Sequence, residues 1–224
     1  MSIETTGLVT PTLVADQVYE VLEKGILNGS LASGSNLRVR DLAAMVGTSV
    51  MPVREAIRRL EEAGLATRTP HKGAVVRTFT VAELIHIYNV RTILEVDAAT
   101  KGAPHVSEDA LAHMDEACEE MQRAVQEGRV VDALDLDEEL LRTLYAASGN
   151  PVLVSVIDQL WLQCRPYKVI GATEALAKDD NSLWSTQPAL VKALATGDTA
   201  AATSITADSL SSARRRLELR LENQ

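Results

Sequence analysis

Hydrophobic residues along this chain recur mostly three or four positions apart, which is the spacing of one face of an α-helix. The first such run covers residues 13–28 and predicts a long amphipathic helix. A second, shorter run contains Leu42, Ala43 and Val46, and it stops at Gly47. Because glycine accepts the left-handed conformation in which many helices end, the pattern predicts a short helix followed by a tight turn.

A third helical run follows at once and has two distinct faces. Ser49 is a favourable N-cap, and Pro52 falls in the first turn, where its missing N–H costs little. Four apolar residues at helical spacing form the face that we expect to be buried: Val53, Ala56, Ile57 and Leu60. Met51, Arg54 and Arg58 project from the other side, so the helix presents a partly basic surface.

Two extended runs, residues 66–69 and 74–77, follow the third helix, and residues 70–73 can turn between them as a β-hairpin. Helix, tight turn, helix and hairpin is the order of a winged helix-turn-helix domain, which places its recognition helix in the major groove of DNA. The alternative is a small helical module that binds another protein. The hairpin and the outward arginines favour DNA.

The charge of this stretch supports the same interpretation. Residues 38–77 hold eight Lys and Arg against four Asp and Glu, a net charge of about +4, whereas the whole chain carries −9. A local basic patch on an acidic protein is the electrostatic footprint of a phosphate-binding surface. We therefore expect double-stranded DNA as a partner.

The remainder of the chain keeps the helical period throughout. Thr80 and Glu83 have the spacing of a capping box at the start of the first helix of this part. We predict six helices here, with a loop over residues 171–182, at the following positions: 81–99, 108–126, 131–147, 151–169, 188–195 and 199–221. This part holds 13 basic and 23 acidic residues, so we expect it to stay away from DNA.

The predicted fold class is mainly α, in two domains. Residues 1–78 form an N-terminal winged helix-turn-helix domain with a small β-hairpin wing, and residues 79–224 form an all-α antiparallel helical bundle. Hydrophobic residues make up 46% of the chain and aromatic residues only 3%, which favours helix packing over a β-sandwich. Cys118 and Cys164 lie far apart without metal-ligand spacing, so we expect buried thiols.

Composition and motifs also argue against other classes of protein. There is no signal-peptide pattern and no apolar run of membrane length, so we expect a soluble, cytoplasmic protein without membrane contact. No Ser-His-Asp set and no Gly-rich phosphate loop is visible. Asp137 and Glu138 are adjacent and point different ways on a helix, which makes a poor acid–base pair. We expect no enzymatic activity.

The order and spacing of these motifs resemble the GntR family of bacterial transcription regulators over residues 12–78. The matching elements are Val18–Tyr19, Ile26 to Gly29, Gly34 to Leu37, Leu42–Ala43, Pro52 to Ala56, Leu60–Glu61 and Gly64–Leu65. The rest of the chain resembles the all-helical FCD effector domain of the FadR branch, with Val90 to Glu95 matching its opening helix. The resemblance implies a homodimeric repressor that binds a pseudo-palindromic operator and responds to a small molecule bound in the helical effector-binding and dimerisation domain.

The resemblance also implies which residues contact DNA, and Arg58 joins them from the outward face of the third helix. The predicted contacts are Arg40, Ser49, Val50, Met51, Arg54, Arg58, His71, Lys72 and Gly73. Relatives often carry Arg at the position of Val50. Its absence removes a guanine-reading side chain and leaves the operator sequence open.

Many FCD domains hold a divalent metal with one Asp and three His, and this chain departs from that set. Counting from the flanking motifs places Asp137 at the Asp position, but Leu141, Gln187 and Ser209 at the His positions. No His follows residue 113, so a shift of one position restores none. One carboxylate, one amide and one hydroxyl do not make a transition-metal site, and we expect no metal and no other cofactor.

A metal-free effector pocket is the remaining hypothesis for the helical domain. Its predicted lining is Arg91, Asp137, Leu141, Arg165, Gln187 and Ser209. Three of these residues have alternatives: Arg91 can simply pair with Glu95, Asp137 can be solvated, and Arg165 can form a surface ion pair. The effector is then an organic acid held by arginine, or a less polar compound that Leu141 favours.

Overall fold

The computed structural model describes residues 11–70 and 73–222, with side chains from residue 13 onward. The chain divides into two compact units, of which one ends at Thr78 and the other begins at Phe79. Within the described ranges, no helix is long and apolar enough to cross a membrane.

The first unit has the predicted order of helices and strands. Its elements are α1 (Pro11–Leu27), α2 (Val39–Val46), α3 (Val50–Glu62), β1 (Ala66–Thr69) and β2 (Gly73–Val76). The two strands are antiparallel, with Ala66 opposite Val76 and Thr69 opposite Gly73. A three-helix unit followed by a two-stranded wing is a winged helix-turn-helix fold, which confirms the predicted fold class.

The core of the first unit fixes the orientation of α3. Leu22 and Ile26 of α1 are fully buried, as are Val53 and Leu60 of α3, because the apolar faces of these two helices pack against each other. The turn before α3 depends on Gly47, whose φ of 71° is left-handed and whose N–H bonds to the carbonyl of Ala43. The face of α3 opposite to this core is therefore left exposed.

The second unit is helical throughout its described length. Its helices are α4 (Val81–Gly102), α5 (Glu108–Gln126), α6 (Val130–Ala146), α7 (Pro151–Leu176), α8 (Gln187–Ala195) and α9 (Thr199–Glu222), with short 3₁₀ turns at Ala103–His105 and Ser182–Trp184. The predicted capping box is confirmed, and two further side chains cap helices of this unit. Thr80 and Glu83 form the capping box of α4, Ser107 accepts from the N–H of Ala110, and Asn150 accepts from the N–H of Leu153.

The predicted loop over residues 171–182 is wrong in its first half, because α7 continues to Leu176. Residues 172–176 read Ala-Thr-Glu-Ala-Leu and include good helix formers. Ala172 is also buried in the core, so tertiary packing extends the helix. Pro166 removes only one helical hydrogen bond and does not end α7.

The helices α4 and α6 of the second unit approach each other closely at Gly102. A Cβ added to Gly102 would lie 2.1 Å from the carbonyl oxygen of Leu144, so only glycine allows the two backbones to come this close. Around this contact, long apolar side chains such as Met114, Met121 and Leu140 are fully buried. Cys118 and Cys164 are buried, free thiols, as predicted.

Candidate functional site

The exposed face of α3 carries the side chains that the sequence assigns to DNA. Met51 is 68% exposed, and Arg54 is exposed beside it. Within the described chain, Arg54 makes no hydrogen bond or ion pair. An exposed and uncommitted guanidinium on a rigid helix is suited to bidentate recognition of a base or a phosphate.

The start of α2 and the turn into α3 add three more exposed residues. Arg40 is exposed and unpaired among the described residues, as is Arg54. Ser49 occupies the N-cap position of α3, but its side chain makes no capping hydrogen bond, so its hydroxyl is free for an external partner. Val50 is also exposed and offers only apolar contact.

Arg58 differs from Arg54 because its guanidinium is already paired. It contacts the carboxylates of Glu55 and Glu62, one turn away on either side of the same helix. The Glu55 carboxyl has a lowered pKa because it accepts a hydrogen bond from Arg58. A DNA contact by Arg58 would have to compete with both carboxylates.

Three other basic side chains of this unit also have acidic partners. Arg38 lies 3.9 Å from Asp41, and both side chains are exposed. Arg59 pairs with Asp16 of α1 and stacks over the ring of Tyr19, with 4.4 Å between the guanidinium carbon and the ring centroid. Arg68 of β1 lies 2.9 Å from Glu61 at the end of α3. The last two pairs tie the recognition helix to its neighbours.

The wing is described in part. His71 and Lys72, both predicted DNA contacts, lie outside the described residues. Gly73 opens β2 with a φ of 77°, a left-handed conformation that favours glycine, and a Cβ there would meet nothing within 4 Å. Its role in the wing is therefore conformational.

A cavity of about 190 Å³ lies within the second unit, between α4, α6, α7, α8 and α9. Five of the six predicted pocket residues line it: Arg91, Asp137, Leu141, Gln187 and Ser209. They come from all of these helices except α7. The fold thus brings residues that are more than a hundred positions apart into one cavity.

Arg165 does not line this cavity, so its predicted place in the pocket is wrong. Its side chain is 5% exposed and packs against α6, where it bonds to the carbonyl of Val131 and pairs with Asp135 and Glu138. Residue 165 lies on the side of α7 that meets α6, and helix periodicity alone did not reveal which neighbour would be there.

Arg91 and Glu95 form a buried ion pair in the cavity wall, with 2.6 Å between Nε and Oε1. Glu95 is 1% exposed and also accepts hydrogen bonds from the Tyr145 hydroxyl and from Trp161 Nε1, both at 3.0 Å. Burial alone would lower the pKa of Arg91, but the charge of Glu95 outweighs it and holds that pKa well above its usual value. The predicted pairing is confirmed.

Asp137 is buried, so the interpretation of it as a solvated carboxylate is wrong. Gln187 Nε2 donates to its Oδ1 at 2.5 Å, and Lys168 Nζ lies 3.4 Å from its Oδ2. Lys168 also lies 3.2 Å from Glu138. Burial would lower the pKa of Lys168, but the charges of Glu138 and Asp137 raise it, so the ammonium stays charged.

Lys168 is a charged cavity residue that the sequence analysis did not predict. It lies four residues after Cys164 and seven after Trp161, on the buried stripe of α7. A lysine on such an apolar stripe is the signal that could have found it, because a buried lysine needs a carboxylate partner.

The residues at the family's metal position do not fit a metal. Both oxygens of Asp137 are engaged, one by an amide and one by an ammonium group. Leu141 supplies no donor, and in the described ranges no three His, Cys, Asp or Glu side chains come together as a metal site.

Comparison with known proteins decides the family. The family described as "Bacterial regulatory proteins, gntR family" matches residues 14–76, and the FCD domain matches residues 86–212, more than half of the chain. The chain belongs to the GntR family.

The chain is similar to transcription regulators and repressors of bacteria. The HTH-type transcriptional regulator McbR of Escherichia coli K12 is 27% identical over 174 residues, 75% of this chain and 79% of McbR. A probable D-xylose utilization operon transcriptional repressor of Paenarthrobacter nicotinovorans is 37% identical over 91 residues, 41% of this chain and 40% of that protein.

Solved structures agree on the fold. The structure of E. coli McbR/YncC matches this GntR-family chain with a TM-score of 0.80 at 24% identity, and covers 93% of this chain and 98% of its own. The family match and the curated relatives show that the protein is a DNA-binding transcription regulator with an FCD effector domain and not an enzyme.

Proposed function

We propose that this GntR-family protein is a homodimeric repressor of the FadR branch whose operator affinity is modulated by a small metabolite in the cavity. The cavity carries the effector part of the proposal, because it combines apolar walls with buried charged groups in an FCD domain. We propose repression because the chain resembles GntR-family repressors and because two of its relatives are named as repressors. We place the protein in the cytoplasm, where a bacterial regulator meets its operator.

The DNA-binding side of the proposal predicts a large effect at Arg54. Arg54→Ala should weaken binding to a cognate operator by about 1–3 kcal/mol, because the exposed, unpaired guanidinium is a base-reading candidate. An operator can be selected from random duplex DNA and the affinity measured by fluorescence anisotropy. Arg123→Ala, an exposed arginine of α5, is the matched control and should leave the affinity unchanged. Equal affinities for wild type and Arg54→Ala would exclude this docking surface.

Assembly as a dimer follows from the size of one half-site. A single winged helix reads only a few base pairs, so a two-fold dimer on a pseudo-palindrome provides the missing discrimination. The packed helices α4 and α7 carry exposed apolar side chains, among them Ile93 at 70% and Val152 at 71%. We propose that a second copy of the chain covers them.

Ile93→Glu should therefore shift the protein from dimer to monomer, because a charge in an apolar interface loses its hydration. Sedimentation at micromolar concentration should give twice 24.2 kDa for wild type and 24.2 kDa for the variant. Leu13→Glu, an equal change at another exposed leucine, should stay dimeric. A wild-type monomer with full operator affinity would contradict the dimer.

A further inference from the structure

The cavity contains one cation that the protein itself does not neutralise. Four cationic side chains line it in the described chain: Arg91, Lys168, Arg216 and Arg220. Three of them have carboxylate partners within the protein: Arg91 with Glu95, Lys168 with Asp137 and Glu138, and Arg220 with Glu174. Arg216 forms no hydrogen bond and no ion pair with any described residue.

Arg216 lies in the C-terminal half of α9 and is only partly exposed. The groups whose charges raise the pKa of Arg216 are Tyr88 of the cavity wall and, to a lesser extent, Asp180. Burial lowers the pKa of Arg216 more than these two groups raise it. A guanidinium stays protonated in proteins, so this side chain is a partly desolvated positive charge without a direct ion-pair partner among the described residues.

We propose that the cavity binds a small organic monocarboxylate whose carboxylate group pairs with Arg216. The inference rests on the proposed function, because it names the chemical class of the effector. A guanidinium presents a planar fork of donors that matches a carboxylate in two parallel hydrogen bonds. Binding then supplies the counter-ion that Arg216 lacks.

The charges of the cavity limit the ligand to one negative group. Arg91 and Lys168 are already neutralised by buried carboxylates, and Arg220 is paired with Glu174. A second anionic group would therefore find no unpaired cation among the described lining residues. A dicarboxylate or a doubly charged phosphate is disfavoured for this reason. The metal that could hold such groups in relatives has no fitting site here.

The size and the walls of the cavity define the body of the ligand. Near Arg216, α9 contributes Leu210, Ala213 and Leu217 to the lining, so an apolar body fits beside the carboxylate. A dry cavity of about 150 Å³ holds a benzene molecule. The cavity of about 190 Å³ therefore suits a ligand of roughly six to twelve non-hydrogen atoms.

Titration calorimetry on the full-length protein tests whether the cavity prefers a ligand with one negative charge. The probes are benzoate and hexanoate, their uncharged amides benzamide and hexanamide, and the dicarboxylate adipate, in chloride-free buffer with EDTA. At least one monocarboxylate should bind with a Kd below about 10 mM, and its amide and adipate should bind at least about tenfold more weakly. No binding by either monocarboxylate, or an amide or adipate that binds equally well, would overturn the proposal.

Two neighbouring arginines give a matched pair of variants. Arg216→Gln should weaken the bound monocarboxylate at least about tenfold, whereas Arg215→Gln, an exposed residue outside the cavity lining, should change it less than about twofold. Arg216→Lys keeps the charge and should fall between them. Arg216→Gln should unfold at the same temperature as wild type or higher, because it removes an unpaired charge. Wild-type ligand affinity in Arg216→Gln would refute the assignment.

Operator binding distinguishes the monocarboxylate site at Arg216 from the proposed modulation of operator affinity by a metabolite. Anisotropy with an in vitro selected operator is measured with and without the monocarboxylate that binds. If the monocarboxylate weakens operator binding by the wild type but not by Arg216→Gln, the result supports both the site at Arg216 and the modulation by a metabolite. Ligand binding without any change in operator affinity retains the monocarboxylate site and refutes metabolite modulation. If the protein binds its operator but no monocarboxylate, the result refutes the monocarboxylate site at Arg216 and leaves the proposed DNA-binding function standing.

Discussion

Glu95→Gln should lower the free energy of unfolding of the second unit by about 3–5 kcal/mol, because it leaves the buried guanidinium of Arg91 without its counter-charge. The replacement is nearly isosteric, and its amide oxygen can still accept from Tyr145 or Trp161. The loss of unfolding free energy therefore comes from the missing charge at residue 95 and not from a change in side-chain shape. Domains are stable by only about 5–15 kcal/mol, so the change removes a large part of the total.

Urea unfolding followed by tryptophan fluorescence measures this loss cleanly. Both tryptophans of the chain, Trp161 and Trp184, lie in the second unit, so the signal does not depend on the first. Asp97→Asn breaks an exposed pair with Lys101 on the same helix and should have little effect. Combining Glu95→Gln with Arg91→Met should recover much of the loss. Equal effects of Glu95→Gln and Asp97→Asn would show that the buried pair does not matter.

Gly102→Ala should cost the second unit about 3 kcal/mol, even though alanine is the better helix former. The added methyl group would meet the backbone of α6, and a backbone carbonyl cannot rotate away as a flexible side chain can. The two helices would have to move apart and would open gaps in the core around Leu144.

Gly171→Ala is the matched change and should have the opposite sign. It also lies inside a long helix, but a Cβ there would meet nothing within 4 Å. The gain in helix propensity should stabilise the unit by about 0.5–1 kcal/mol. The same fluorescence measurement serves both variants. Wild-type stability in Gly102→Ala would mean that α4 and α6 are not in backbone contact in solution.

Much of this fold could be predicted from local signals. The helical period predicted the three helices of the first unit, as for α3 with its one clear buried face, and the two extended runs with a turn between them predicted the wing. The capping box of Thr80 with Glu83 predicted the start of α4. These signals act within one or two turns of helix, so they can be read without knowing the neighbours.

The errors concern which elements are neighbours. The end of α7 depends on packing of Ala172 in the core, and the place of Arg165 depends on α6 lying beside it. Lys168 and Arg216 line the cavity because α7 and α9 both border it. Local periodicity gives the faces of a helix, but it does not say which helix each face meets. The DNA contacts themselves stay predictions.

The ion pairs inside the basic first unit determine how operator binding responds to ionic strength. Each new phosphate contact releases condensed counter-ions from DNA, and affinity falls as salt rises in proportion to the number of contacts. Arg58 and Arg68 give up carboxylate partners before they reach a phosphate, and those carboxylates must then recruit cations. Only an uncommitted side chain such as Arg40 or Arg54 gives the full release. Arg40 and Arg54 are two such side chains per chain among the described residues, or four in the proposed dimer. We expect them to contribute a slope of about −4 in log K against log salt, shallower than the eight basic residues of 38–77 in each chain would give if all of them were uncommitted.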